Sequence, residues 1–114
     1  MREIKSLTLR EHERRAIEEL KTKLKNKFPE VEIILYGSKV RGDDVEESDI
    51  DILILLSERI TTALEEEIFN IAYDIELKYN ICFGIIVNEK EFWNSELAKA
   101  MPFHWSVEKE GIII

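Results

Sequence analysis

The sequence predicts an α/β fold in which a small mixed β-sheet with three core strands is flanked by helices. Two observations predict it. Segments whose apolar residues recur at helical spacing alternate with short β-branched segments, and no internal repeat or Pro/Gly/Ser-rich linker interrupts them. The 114 residues are 45% hydrophobic and 35% charged, which is enough apolar material for one packed core. We therefore expect a single domain over residues 1–114.

The first predicted elements are a helix over Leu9–Lys27 and a strand over Val31–Tyr36. The helix has apolar residues at the spacing of one helical face, and Thr8 followed by Glu11 forms a capping-box pattern at its start. Pro29 ends the helix, because a residue before proline is disfavoured in the α region. The β-branched and aromatic residues that follow favour the strand.

The middle of the chain continues this alternation. Ser38–Arg41 can form a helical turn, Asp49–Leu56 is a strand whose second half is apolar on both faces, and Thr62–Tyr79 is a long helix. Asn80 stops that helix, and Ile81–Val87 is the third strand. Because long helices usually connect parallel strands, we expect the last two strands to be parallel.

The C-terminal part of the chain is predicted to form one or two short helices over Glu89–Ala100, before Pro102. The stretch Trp93–Ile114 is dense in large apolar side chains, which predicts a partner-binding surface; core packing of the last helix is the alternative. These side chains are Trp93, Met101, Phe103, Trp105 and the three terminal isoleucines.

The net charge of −8 is distributed unevenly. Residues 1–28 have nine Lys/Arg against five Asp/Glu, a balance of +4, and residues 29–114 have seven against nineteen, a balance of −12. An acidic body argues against a duplex-DNA binder, since neutralising phosphates drives most of that affinity. Acidic surroundings do suit a site for divalent cations, although most of these charges can equally form a solvated surface.

The small number of cysteines and histidines argues against an intramolecular disulfide and against a zinc site. One cysteine cannot form an intramolecular disulfide, and a cytoplasmic location is the expectation. Two histidines and one cysteine do not suit a zinc site with the usual ligands. We expect Cys82 to be a small core residue, and His12 and His104 to be structural or on the surface. No apolar run approaches the ~20 residues that span a membrane.

Asp49 and Asp51 form the most informative pair in the chain. Residues two apart in a strand point to the same face, so both carboxylates would lie together at the start of an apolar strand. Their repulsion, of order 1 kcal/mol or more when partly buried, is removed by a cation between them. Mg²⁺ accepts carboxylate and phosphate oxygens. The alternative is a pair of polar residues at a solvated strand end.

Gly37 and Ser38 strengthen the metal interpretation. A glycine at a strand end followed by a serine that opens a helical turn lets backbone N–H groups approach a phosphate. We predict that the first two core strands are antiparallel neighbours, because this pairing brings Gly37 and Asp49 to one edge of the sheet. Lys39 and Arg41 could contact phosphates; alternatively Lys39 is a structural charge and Arg41 pairs with nearby acidic residues such as Asp43 or Asp44.

The segment from residue 37 to residue 51 resembles the motif of a known family. GSKVRGD at 37–43 and DID at 49–51 match the pattern GS-x-[AV]-R-G-[DE]…[SD]-D-[IL]-D of the minimal nucleotidyltransferases in the DNA polymerase beta superfamily. Residues 39–48 supply the ten-residue spacing between the Gly-Ser pair and the first aspartate. VEKEGI at 107–112 is similar to the family's [IV]-x-x-E-G-[IV] ending, so the resemblance covers essentially the whole chain.

The resemblance implies a polymerase beta-like nucleotidyltransferase fold and the transfer of AMP from ATP to a hydroxyl group. Gly37 and Ser38 would hold the β- and γ-phosphates, while Asp49 and Asp51 would hold Mg²⁺ or Mn²⁺. Many members of the family act as antitoxins that adenylylate a HEPN-domain partner, so such a partner is implied here. An RNA end remains an alternative acceptor, and a homo-oligomer remains open.

One strand departs from the family pattern, which usually supplies a third carboxylate from the next core strand. Ile81–Val87 contains neither Asp nor Glu. The third carboxylate helps to position the metal that activates the attacking hydroxyl. The alternative function is therefore a catalytically weak or inactive nucleotide-binding antitoxin that neutralises a HEPN ribonuclease by binding alone.

Overall fold

The computed structural model describes residues 2–3, 9–42 and 48–114. The elements in chain order are β1 (Arg2–Glu3), α1 (Glu11–Lys27), β2 (Glu32–Tyr36), α2 (Ser38–Arg41), β3 (Ile50–Leu56), α3 (Thr62–Tyr79), β4 (Phe83–Glu89), α4 (Lys90–Trp93), α5 (Glu96–Lys99), α6 (Pro102–Glu110) and β5 (Ile112–Ile113). The predicted α/β class and the mixed sheet flanked by helices are confirmed. No helix in the described ranges is long and apolar enough to cross a membrane.

The sheet has the strand order β1-β5-β2-β3-β4. As predicted, β2 is antiparallel to β3, and β3 is parallel to β4 through the connecting helix α3. The short strands β1 and β5 extend the sheet beyond the three predicted strands, with β5 antiparallel to β2. Two-residue strands carry no periodicity from which a sequence pattern could be recognised.

The two faces of the sheet bury different sets of side chains. Ile33, Leu35 and Ile52 lie in the core cluster that α1 and α3 complete. The opposite face buries Leu53 against Val107 of α6, together with residues of β2 and α4. Because side chains alternate along a strand, residue 51 points to the same face as residue 53, which is the face covered by α6.

The two long helices begin and end as their terminal residues dictate. Thr61 caps α3 by accepting a hydrogen bond from the Leu64 N–H at 3.1 Å, and Asn80 ends it in the left-handed conformation with φ 54°. In α1 the Arg10 N–H donates to Glu13 Oε1 at 2.9 Å, so Glu13 is the capping carboxylate, not Glu11 as expected. The other half of that expected capping box, residue 8, lies outside the described residues.

Burial corrects two expectations about individual residues. Cys82 is exposed and so is not a core residue. Within the stretch predicted to bind a partner, Trp93, Ile112 and Ile114 are buried and belong to the two cores. As expected, His104 is structural: its buried ring stacks on Trp93 with the ring centroids 4.3 Å apart. The remaining large apolar side chains of that stretch reach the surface to differing extents.

Candidate active site

Gly37 brings the end of β2 into contact with the carboxylate of Asp51. Its backbone has φ 83°, a conformation that favours glycine. A Cβ atom added to Gly37 would lie 2.2 Å from Asp51 Oδ2, so a side chain there would force the Asp51 carboxylate to move. The predicted meeting of the Gly-Ser turn and the aspartate pair at one edge of the sheet is therefore confirmed.

Gly84 of β4 leaves the space into which both aspartates extend. It is the register partner of Asp51 across the parallel pair of strands. A Cβ atom added to Gly84 would lie 2.8 Å from Asp51 Oδ1 and 3.9 Å from Asp49 Oδ2. The two carboxylates therefore converge above this glycine, at the strand from which the family pattern supplies its third carboxylate.

The electrostatics of Asp51 indicate a site with excess negative charge. Burial raises the pKa of its carboxyl group, and the negative charges of Asp49 and Glu110 raise it further, whereas Arg41 lowers it. The converging oxygens and the space above Gly84 fit a divalent cation with carboxylate ligands. The described ranges contain no cluster of three or more His, Cys, Asp or Glu side chains that could hold a metal ion.

Ser38 begins α2 directly after Gly37, as predicted. The short helix is closed by the N–H groups of Val40 and Arg41, which both donate to the Gly37 carbonyl at 3.1 Å. Ser38 is half-buried, and its backbone follows the turn that contacts Asp51. The Gly-Ser turn therefore lies beside the carboxylates, where a phosphate shared with a bound metal would lie.

Glu110 is a site residue whose role sequence reasoning missed. Its Oε1 accepts hydrogen bonds from the Gly37 N–H at 3.1 Å and from Arg41 Nη1 at 3.2 Å. The following Gly111 allows α6 to approach β2, because an added Cβ would lie 2.8 Å from Ile34 Cγ2. The Glu-Gly pair in the C-terminal pattern could have pointed to this position.

Lys39 and Arg41 have different surroundings. Lys39 is buried, and its Nζ lies 2.5 Å from Glu13 Oε2, with side chains 2% and 3% exposed. This ion pair to α1 favours the structural alternative for Lys39 over phosphate contact. Arg41 is exposed and pairs with Glu110, while its expected acidic neighbours at 43 and 44 lie outside the described residues.

Tyr36 is a second neighbour of the site that the sequence did not single out. It is the register partner of Asp51 and so points to the same face. Burial and the charge of Asp51 raise the pKa of its phenol to about 12. The hydroxyl therefore stays protonated at physiological pH. Its ring packs edge-on against Phe103 of α6, with centroids 5.3 Å apart.

Comparison with known proteins agrees with this geometry. Residues 17–110 match the model of the family described as "Nucleotidyltransferase domain". The chain is 34% identical over 105 residues to "Putative protein adenylyltransferase MJ0604" of Methanocaldococcus jannaschii, which covers 90% of this chain and 98% of the relative. It is 43% identical over 72 residues to "Putative protein adenylyltransferase MJ0141" of the same organism, covering 63% of this chain and 71% of that relative. The chain therefore belongs to the nucleotidyltransferase domain family, and it is a nucleotidyltransferase of the polymerase beta-like fold.

Proposed function

We propose that this protein transfers AMP from ATP to a hydroxyl group of a partner macromolecule, with Mg²⁺ or Mn²⁺ held by Asp49 and Asp51. The observation that carries the proposal is the convergence of these two carboxylates above Gly84, beside the backbone of Gly37. The names of the two archaeal relatives support an adenylyl group and a protein acceptor.

The proposed reaction is a displacement at the α-phosphate of ATP. The acceptor oxygen forms a bond to the α-phosphorus, the bond between that phosphorus and the oxygen bridging to the β-phosphate breaks, and pyrophosphate leaves. When bound, the metal neutralises phosphate charge and orients the triphosphate. Because β4 carries Gly84 opposite Asp51, that strand offers no group there to accept the hydroxyl proton. We assign the proton to solvent or to a group of the acceptor.

The phosphate contacts are assigned to Gly37, Ser38 and Arg41. The lack of a side chain at Gly37 and the adjoining turn of α2 support close approach of an anion to the backbone. Glu110 accepts hydrogen bonds from Gly37 and Arg41, so a phosphate oxygen that used these donors would displace its carboxylate. Lys39 receives the least support, because its ammonium pairs with a buried carboxylate of α1.

For the acceptor we propose a HEPN-domain protein, as the family resemblance implies. The exposed apolar side chains of Leu97 and Met101, 70% and 44% exposed, support a docking surface within the C-terminal helices. We therefore limit the proposed partner surface to the side chains of Leu97 and Met101, since Trp93, Ile112 and Ile114 of the stretch Trp93–Ile114 are buried in the core.

A second candidate is a nucleotide-binding antitoxin that neutralises its partner without turnover. The observation that favours it is Gly84, which stands where a third carboxylate would adjoin Asp51. Removing that carboxylate removes a group that positions the activating metal, and this lowers the rate more than it lowers nucleotide binding.

The test is a labelling experiment with ATP carrying the label at either the α- or the γ-phosphate. The protein is incubated with Mg²⁺ and a purified HEPN-domain protein as the proposed acceptor. We expect only the α-label to be transferred to the partner. This transfer should be lost in the Asp51→Asn variant and retained in the Asp74→Asn variant, which changes an exposed aspartate of α3. An unlabelled partner despite intact ATP binding would favour the second candidate, and a labelled RNA end would identify a different acceptor.

A further inference from the structure

A cleft of about 470 Å³ lies between the end of α2 and one side of α6. Its lining residues are Arg41, Trp105, Ser106, Lys109 and Glu110. The cleft adjoins the carboxylate site, because Arg41 and Glu110 form its wall and Glu110 also accepts the hydrogen bond from the Gly37 N–H. A ligand that fills this cleft would therefore reach the turn of Gly37 and Ser38, which we call the phosphate turn.

Trp105 presents a large aromatic surface to this cleft. Its side chain is 69% exposed, whereas Trp93, the other tryptophan, is 5% exposed. The neighbouring residues His104 and Val107 already provide the buried contacts of α6, so the indole is not required for packing. Lys109 Nζ lies over one face of the indole ring, 5.6 Å from its centre, so a base stacks on the opposite face unless the ammonium moves away.

We propose that this cleft is the nucleoside subsite of the enzyme, with the nucleobase stacked on Trp105. The proposal rests on the proposed function and extends it from the phosphates to the base. At about 1.5 Å rise per helical residue, Trp105 lies about 7.5 Å along α6 from Glu110, which contacts the phosphate turn. The cleft therefore runs from the phosphate donors to an aromatic platform.

The chemistry of the lining favours a nucleotide over an apolar protein surface. Arg41 and Lys109 supply positive charge, Ser106 supplies a hydroxyl, and Trp105 supplies a planar face. Every nucleobase has a face that stacks on an aromatic ring, so this contact strengthens binding without selecting the base. The expected ligand class is a nucleoside triphosphate with any base.

The test compares binding of ATP and of inorganic tripolyphosphate, each with Mg²⁺, to four forms of the full chain. These forms are the wild type, Trp105→Ala, Trp105→Phe and Tyr73→Ala, the last removing an exposed aromatic ring from α3. We expect Trp105→Ala to weaken ATP binding roughly 10- to 100-fold and Trp105→Phe to weaken it no more than about threefold. Tripolyphosphate binding should be equal in all four forms, and Tyr73→Ala should match the wild type for both ligands.

Tryptophan fluorescence provides a second measurement that does not depend on the alanine variant. Saturating ATP should quench the emission of the wild type, and it should leave unchanged the emission of Trp105→Phe, in which only the buried Trp93 remains. Tripolyphosphate should quench neither form. An ATP complex with no change in Trp105 emission would overturn the proposal.

The remaining outcomes separate this proposal from the proposed function. If the wild type binds both ligands and Trp105→Ala binds ATP as tightly, the base lies elsewhere and only the subsite is overturned. If Trp105→Ala weakens both ligands equally, Trp105 acts on the phosphate turn, which also overturns it. If that variant loses a protein partner while keeping its ATP affinity, the face is an interface and not a subsite. If the wild type binds neither ligand, the proposed function itself fails.

Discussion

The buried ion pair between Lys39 and Glu13 allows the sharpest test of how the phosphate turn is held in place. The two side chains are 2% and 3% exposed, and Glu13 also accepts the Arg10 N–H. Burial acts to raise the pKa of Glu13, but the hydrogen bond from Lys39, the Arg10 N–H and the two positive charges lower it overall. The carboxylate is therefore charged in the folded protein at neutral pH.

Removing one partner of this pair leaves the other charge buried. Such a change costs about 3–5 kcal/mol, whereas replacing both partners by apolar residues is close to neutral or stabilising. For 114 residues the free energy of unfolding is about 6–17 kcal/mol. We therefore expect Lys39→Met to lower Tm by about 10–20 °C. The double variant Glu13→Leu/Lys39→Met should lie within about 1 kcal/mol of the wild type.

Urea denaturation of the two single variants and the double variant measures this coupling. The single variants are Glu13→Leu and Lys39→Met, and Glu13→Gln is a further control, because its amide oxygen can still accept the Arg10 N–H while Lys39 loses its counter-charge. Two results would refute the buried-pair account. In the first, the losses of unfolding free energy in the two single variants add up to the loss in the double variant. In the second, Lys39→Met loses less than about 1 kcal/mol. The double variant should also bind Mg²⁺–ATP as the wild type does; a tenfold or larger loss would show that Lys39 contacts phosphate.

Three further predictions concern the site and its supports. Gly84→Ala should raise the Mg²⁺ concentration at the midpoint of ATP binding about tenfold, because the new Cβ would lie 2.8 Å from Asp51 Oδ1. Titration of Mg²⁺ measures this midpoint, and an unchanged midpoint would contradict the prediction. Glu110→Ala should cost about 1–3 kcal/mol in urea denaturation, because it leaves a backbone N–H of the phosphate turn without its acceptor; a cost near zero would show that the contact is not stabilising. The pKa of Glu19 is lowered from 4.5 to about 2, chiefly by the hydrogen bond from Lys78. Because the unfolded state then binds more protons than the folded state as the pH falls through that range, the Tm of the wild type should decrease there. In the same series of Tm measurements against pH, Glu19→Gln should show a shallower decrease.

Most of the secondary structure was predictable because local sequence determines it, but α1 begins at Glu11 and not at Leu9, β4 spans Phe83–Glu89 and not Ile81–Val87, and α6 had no predicted bounds. The predicted bounds of α3 agree with the structure, since Thr61 caps its start and Asn80 accepts the left-handed conformation at its end. The parallel pairing of β3 and β4 also follows from a local feature, the long helix that connects them. The antiparallel pairing of β2 and β3 was predicted because it brings Gly37 and Asp49 to one edge of the sheet.

The contacts that complete the site are non-local, and sequence reasoning missed them for that reason. Glu110 lies 73 residues from Gly37, and its acceptor role depends on how α6 packs against β2. The burial of Lys39 depends in the same way on its contact with α1. The absence of a carboxylate on β4 was visible in the sequence, but only the strand register places Gly84 opposite Asp51.

The measurement that tests the central claim most directly is ATP affinity with and without Mg²⁺, in the wild type and in Asp51→Asn. We expect Mg²⁺ to strengthen binding to the wild type by about tenfold or more, and this dependence to disappear in Asp51→Asn without loss of the folded state. Asp74→Asn, a change at an exposed aspartate of α3, should behave as the wild type does. Equal ATP affinity of the wild type with and without the metal would contradict the assignment of Asp49 and Asp51 as the metal-binding pair.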